Sequence, residues 1–254
     1  MADDSTKNPV IGNIVDAFRV LDTINLEQEI GISSLAQKLD LPKTRIFRIM
    51  KSLEEVKAVK QLENSNYCLD YHMLKFAKGV TIKNRIIDIA EPHMKKAVEI
   101  TGESINLGME YKDDLVILRR MHGDFYQLQT SLRPVGDLYC SGMGKLFLAQ
   151  RDDNDLKRYF TNVPQRTVRT ITTFEEFKVQ QENILASGLS FDDEEYEYGL
   201  SCYAVPIFDS KGVLQYAISI SGPSSRLEYK GIDFLMDTLK ECALEIQKDL
   251  ELTQ

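Results

Sequence analysis

The stretch GLSFDDEEYEYGLSCYAVPIFDSKGVLQYAISISGP, residues 188–223, most narrows what this chain can fold into. Residues 201–208 and 213–221 alternate in character and flank Asp209-Ser210-Lys211-Gly212, four turn-forming residues, so they read as an antiparallel hairpin. Setting Phe208 opposite Val213 places Cys202 opposite Ser219 and Leu200 opposite Ser221. One face then carries Cys202, Ala204, Ala217, Ser219 and Ser221, all small and several polar. The other carries Tyr203, Val205, Ile207, Leu214, Tyr216, Ile218 and Ile220, which need a core behind them. One side is built to pack and the other to leave room.

Charge separates the chain into two parts. The 254 residues sum to −8, an unpromising total for a phosphate-binding surface. Residues 1–80 nevertheless hold 11 basic and 11 acidic side chains, so the whole deficit lies in residues 81–254. Between Lys38 and Lys60 seven basic residues face only Asp40, Glu54 and Glu55.

That basic segment has a recognisable grammar. A helix is expected over 10–24, with Ile14, Ala17, Phe18 and Leu21 at helical spacing. Ser34 and Gln37 form a capping-box pair that opens a short helix through Leu39. A tight turn at Asp40-Leu41 leads to Pro42, in the first turn of a helix over 42–56. Ile46, Ile49, Met50 and Leu53 make its apolar stripe; at about 100° per residue Thr44, Arg48 and Lys51 fall opposite, with Arg45 and Phe47 on the flanks. Short strands over 59–62 and 67–69 around Glu63-Asn64-Ser65-Asn66 supply a wing. Helix, helix-turn-helix and hairpin in that order point to a winged DNA-binding domain.

A further helix is expected over 69–89 and another over 91–101, opening at Pro92. Strands follow at 104–109, 115–121 and 125–130, then helices over 144–150, 154–160, 174–187 and 229–250. This is an α+β order, an antiparallel sheet flanked by helices. No apolar run approaches the ~20 residues needed to span a bilayer, and the polar N-terminus does not read as a signal peptide, so a cytoplasmic protein with reduced thiols and no membrane partner is expected.

Candidates for catalytic chemistry are weak. Cys140-Ser141-Gly142-Met143-Gly144-Lys145 resembles a phosphate loop but fails at Tyr139 and Leu146; what survives is a helix start whose N–H groups near Gly142 and Met143 could hold a carboxylate. Cys202 as a nucleophile would need a base, and His72, His93 and His122 form no recognisable pair with it. No Cys or His pair has metal-ligand spacing, and no cofactor is called for. Asp192-Asp193-Glu194-Glu195 reads as a solvated loop, unless Asp192 turns inward toward the polar strand face.

The segments GISSLAQKLDLPKTRIFRIMKSLE, RPVGDLYCSGMGKLFLAQ, TVRTIT and GLSFDDEEYEYGLSCYAVPIFDSKGVLQYAISISGPSSRL, in that order, resemble the successive signatures of IclR-family transcription regulators. The resemblance implies a winged helix-turn-helix domain over 1–70, a linker helix over 71–90, and a GAF-like effector-binding and oligomerisation domain over 91–254. It implies double-stranded DNA with a palindromic operator, a small carboxylic or 2-oxo acid effector, and a homodimer or dimer of dimers. Carried over by motif, the effector residues are Gly142, Met143, Asp192, Leu200, Cys202, Ser219 and Ser221. The DNA-binding residues are Lys43, Thr44, Arg45 and Arg48 of the recognition helix and the wing residues Ser65, Asn66 and Tyr67. To these the helical projection adds Phe47, suited to a thymine methyl, and Lys51, suited to a phosphate. Two readings of other classes remain: an enzyme using Cys202 and Asp192, and a protein-interaction module.

Overall fold

In the computed structural model the described residues are 10–76, 85–123 and 135–252. They fall into two compact units that divide between residues 83 and 84.

The described residues of the first unit include three helices and a hairpin, α1 (Gly12–Glu27), α2 (Ile32–Leu39), α3 (Lys43–Glu55), β1 (Val59–Gln61) and β2 (Tyr67–Leu69), followed by a 3-10 turn at Tyr71–Met73. Ile46, Ile49, Met50 and Leu53 of α3 bury the expected stripe against Val20, Leu21 and Ile24 of α1. The apolar residues of α1 divide between two faces, because Ile14 and Phe18, expected to pack with Leu21, are 54% and 62% exposed. The capping box at Ser34 is not formed: α2 begins earlier, from Gly31, and Ser34 lies inside it. Asp40 at φ 51 closes α2 in the left-handed region and its N–H bonds back to the Gln37 carbonyl, which makes the turn tight enough for α3 to start three residues later.

The second unit is a six-stranded antiparallel sheet. Its strands are β3 (Ser104–Tyr111), β4 (Asp114–Met121), β5 (Val135–Asp137), β6 (Ser190–Asp193), β7 (Leu200–Phe208) and β8 (Leu214–Pro223), in the spatial order β5-β4-β3-β8-β7-β6. α4 (Arg85–Thr101) and α9 (Ile232–Glu251) cover one face, where Ile105, Leu107, Val205, Ile207, Ile218 and Ile220 meet Met94, Leu235 and Leu239. α5 (Gly142–Ala149) and α7 (Phe174–Ser187) cover the other, where Ala204 and Ala217 meet Met143, Leu146 and Phe177. α6 (Asp153–Tyr159) and α8 (Ser224–Lys230) complete the unit. α4 runs on through Pro92, where a new helix was expected, and the expected terminal helix is broken by Gly231 at φ 92. The strand expected over 125–130 and part of the helix expected over 69–89 lie outside the described residues.

The hairpin exists with a shifted register. Phe208 faces Leu214, and Ile207 faces Tyr216, so Gln215 is an extra residue in β8. Cys202 consequently lies opposite Ser221, not Ser219, and Ala204 lies opposite Ser219. A shift of two residues preserves the sidedness of the strands. The bulge also transfers Leu214 to the face of Ala217, where it packs against the α5 cluster.

Candidate functional site

The small-residue face of β7 and β8 forms the floor of a cavity of about 70 Å³, room for roughly five water molecules. Of the expected effector residues, Met143, Asp192, Leu200, Cys202, Ser219 and Ser221 line it. Gly142 forms none of its lining. A side chain at Gly142 would lie 3.1 Å from the Cys202 carbonyl oxygen and 3.3 Å from Ala204 Cβ, so its role is to let α5 sit down on β7. Its N–H draws the Cys202 thiol down, a minor pull against burial. Ser141 caps the helix by accepting the Gly144 N–H at 3.0 Å.

Sheet register sets the polar floor in two rows. Arg120, Asn106 and Ser219 are neighbours across β4, β3 and β8, and Ser221, Cys202 and Asp192 are neighbours across β8, β7 and β6. The Asn106 amide donates to Ser219 Oγ at 3.3 Å and Ser221 Oγ at 3.1 Å, while its Oδ1 accepts from Arg120 Nε at 2.7 Å. Cys202 is a poor nucleophile here: burial, reinforced by Asp192, pushes its thiol up to about 12.

The acidic run is only half solvated. Asp192 and Glu195 are buried whereas Asp193 is exposed. Asp192 Oδ1 accepts the N–H groups of Glu195 and Tyr196 at 2.7 and 3.3 Å. Glu195 pairs with Lys145, which is wholly buried and also donates to Gln180 at 3.0 Å. The TVRTIT segment holds this loop: Thr167 donates to the Glu194 carbonyl and Thr170 to that of Glu195, each at 2.7 Å.

Burial pushes the Asp192 carboxyl up to about 7, against the pull of Lys145 and the Glu195 N–H and with the push of the Glu195 carboxylate. An unfolded aspartate titrates near about 4, so above that the folded chain holds a proton the unfolded chain has released. The stability contributed by the neutral carboxyl is complete below about pH 4 and is lost as the pH rises through about 7. Asp192→Asn is expected to flatten this part of the profile in urea denaturation at stepped pH; an unchanged slope would place the titration elsewhere.

In the first unit, Lys43, Thr44, Phe47, Arg48 and Lys51 are exposed on the outer side of α3, with Phe47 50% exposed. Arg45 is also exposed, but its guanidinium lies 2.5 Å from Asp16 Oδ2 of α1 and donates to Asn13 at 3.3 Å. It occupies the flank of α3 that faces α1 and is engaged there in the absence of DNA. Ser65 stands exposed at the wing tip at φ 65, and Asn66 is half-buried. Tyr67, expected on the DNA side, is 2% exposed and pairs with Ile30, so it is a core residue.

Residues 79–248 match the family model described as "Bacterial transcriptional regulator IclR C-terminal". The chain belongs to the IclR family. Its relatives include the DNA-binding transcriptional repressor YiaJ of Escherichia coli, 30% identical over 87% of this chain and 81% of that protein. The solved Thermotoga maritima IclR is 30% identical, covers 94% of this chain and 99% of its own, and superposes with a TM-score of 0.66. An IclR homologue from Microbacterium hydrocarbonoxydans, solved as a complex with 4-hydroxybenzoate, shares the fold at 20% identity, with a TM-score of 0.74 over 94% of this chain and 99% of its own. This IclR-family chain is thus a helix-turn-helix transcription regulator. Among its described residues no helix is long and apolar enough to cross a membrane.

Among the residues of this IclR-family cavity that escape the sequence reading are Asn106, Arg120 and Tyr196. Alternation within β3 offers a signal for Asn106, a polar residue between Ile105 and Leu107. Arg120 offers none, for a reason that lies in the register of β4.

Proposed function

We propose that the protein binds a palindromic operator as a homodimer or dimer of dimers, and that a small organic acid in the cavity of the second unit modulates this binding, in the control of a catabolic operon. The observation that carries the effector reading is the convergence of Arg120, Asn106, Ser219, Ser221 and Asp192 on one small cavity whose remaining walls are largely apolar. The 4-hydroxybenzoate complex of the Microbacterium homologue supports an acid ligand, and a relative named an acetate operon repressor supports the catabolic role. Dimerisation is supported by the exposed Ile11 just before α1 and the exposed Ile14, Val15 and Phe18 within it, a strip that pairing would cover. An acid can shift operator affinity by no more than its differential affinity for the two states.

On the DNA side, Thr44 and Phe47 on the outward face of α3 are placed for base edges, with Lys43, Arg48, Lys51 and the wing tip at Ser65 placed for phosphates. The test uses a palindrome recovered by selection from random duplexes, measured by mobility shift at several salt concentrations. Arg48→Ala is expected to weaken selected and random DNA alike and to lower the salt slope by about one, while Phe47→Ala narrows the preference between them. Ser219→Ala with Ser221→Ala is expected to abolish the response to small acids and to leave DNA binding intact. Salt-insensitive binding would overturn the DNA reading, and an unchanged acid response the effector reading.

A further inference from the structure

The edge of the sheet at β6 borders a second cleft. β6 is the last strand in the order, and residues of α7 and α9, which cover opposite faces of the sheet, line a single cleft with it. The cleft holds about 380 Å³, against about 70 Å³ for the cavity over β7 and β8, and falls in the range of small-molecule sites. Its wall on the α9 side is Phe191, Tyr203, Ile232 and Met236. Phe191 and Tyr203 are cross-strand neighbours whose rings stack with centroids 6.3 Å apart. Stacked pairs of this kind normally lie under a core, yet Phe191 is 47% exposed. Beside them α9 presents Asp233 and Asp237, one turn apart on one helix face and both exposed. Among the described residues of the lining Lys240 is the only cation, and it stands 3.9 Å from Asp237, the outer limit of an ion pair, so the rim keeps a net negative charge. The helix dipole accounts for an aspartate in the first turn, as at Asp233, but not for Asp237 a turn later. Ser190 adds a second mark to the lining: it is 1% exposed, and its Oγ has no hydrogen-bond partner among the described residues. A buried hydroxyl left open beside a cleft is the sign of a surface that something else completes.

We propose that this cleft is a second ligand site, separate from the cavity over β7 and β8, and that it takes an amphipathic organic amine, with the ammonium between Asp233 and Asp237 and the apolar body against Phe191, Tyr203 and Met236. It does not depend on the reading of the other cavity as an effector site. All of these contacts lie on the α9 side of the cleft, so the molecule need not reach across it. The chemistry of the wall rejects the alternatives. An organic anion would meet two carboxylates, and a wholly apolar molecule would draw water from them without returning a charge partner. A bare metal ion needs a set of convergent ligands, and the described residues hold no group of three or more His, Cys, Asp or Glu that could supply one. An ammonium on an apolar stem keeps its charge at the wet rim, where carboxylates and an aromatic face both attract it, while the stem covers the exposed ring.

The experiment is calorimetric titration of the full chain with hexylamine and phenethylamine, each beside the alcohol and the carboxylate of the same skeleton. At least one amine is expected to bind and to exceed its alcohol by roughly fivefold to tenfold, with its carboxylate weaker still. Raising the salt should shrink that preference. In Asp233→Asn combined with Asp237→Asn the preference of amine over alcohol should vanish while alcohol binding persists, and Lys240→Met, which removes the competing cation, should enlarge it. Phe191→Ala should weaken amine and alcohol together. Thermal unfolding without ligand verifies that the variants, all at exposed positions, are folded. Absence of binding by both amines would overturn the proposal. So would a preference that survives the double aspartate variant, or amine binding that is indifferent to Phe191→Ala. Ser219→Ala with Ser221→Ala, in the other cavity, should leave amine binding unchanged; its loss there would place the amine in that cavity and overturn the second site.

Discussion

Lys145→Met is expected to lower the stability of the second unit by about 3–5 kcal/mol, the usual range when one partner of a buried ion pair is removed. Lys145 is 0% exposed, and its ammonium holds Glu195 and Gln180. Glu195 Oε2 already has no hydrogen-bond partner in its buried position, so without Lys145 the whole carboxylate stands uncompensated. Asp192 feels the loss as well, since Lys145 is what chiefly restrains the upward push of burial on its carboxyl. An unpaired Glu195 beside a less restrained Asp192 would then favour local opening of the 192–196 loop. For a unit of this size the midpoint of thermal unfolding should fall by about 10 °C, with the larger deficit at higher pH. Pairing Lys145→Met with Glu195→Gln should recover most of the loss, because the desolvated charge is gone and two apolar or neutral groups replace it. A single variant within about 1 kcal/mol of the parent would mean that water reaches Glu195.

The parts of the fold legible from sequence are those in which one periodicity governs a whole element. Ile46, Ile49, Met50 and Leu53 announce both a helix and the face it buries, and the turn residues Asp209 to Gly212 announce the hairpin. What stays hidden is every place where a single residue breaks the period. Gln215 and Leu118 each add one residue to a strand, and neither is a glycine or carries any compositional mark of a bulge. The first, together with the pairing of Phe208 with Leu214 in place of Val213, shifts the register by two positions, which keeps the same hairpin residues on the cavity face. The second carries Arg120 across the sheet, and alternation applied to β4 assigns it to the wrong side. Buried charge is hidden for a different reason. Lys145 and Glu195 are 50 positions apart, and each alone reads as a surface residue; only the packing of α5 against the loop after β6 makes them a pair. Arg45 and Tyr67 show the converse limit, because their motif positions fit DNA contact while Asp16 and the core around Ile30 engage them first.

Gly144→Ala is expected to disable the cavity more thoroughly than any change of its lining. A Cβ at Gly144 would lie 2.3 Å from both the Cα and the carbonyl oxygen of Leu138, and 2.6 Å from Ser141 Oγ. The first two are backbone atoms, so no rotamer change relieves the clash, and α5 must move away from the segment that follows β5. That motion pulls the Gly144 N–H from the Ser141 cap and displaces Met143, which lines the cavity one residue earlier. A cost of about 3 kcal/mol is expected from overpacking against an immovable neighbour, together with loss of any response to small acids, while the first unit retains its own fold. Gly136→Ala is the matched control. It lines the same cavity, a Cβ there meets nothing within 4 Å, and its stability should stay within about 0.5 kcal/mol of the parent. Urea denaturation of the two variants, read beside acid titration of each, separates close backbone approach at Gly144 from a general intolerance of side chains around the cavity. Equal losses in both would show that the cavity wall as a whole, and not the seat of α5 on Leu138, sets the constraint.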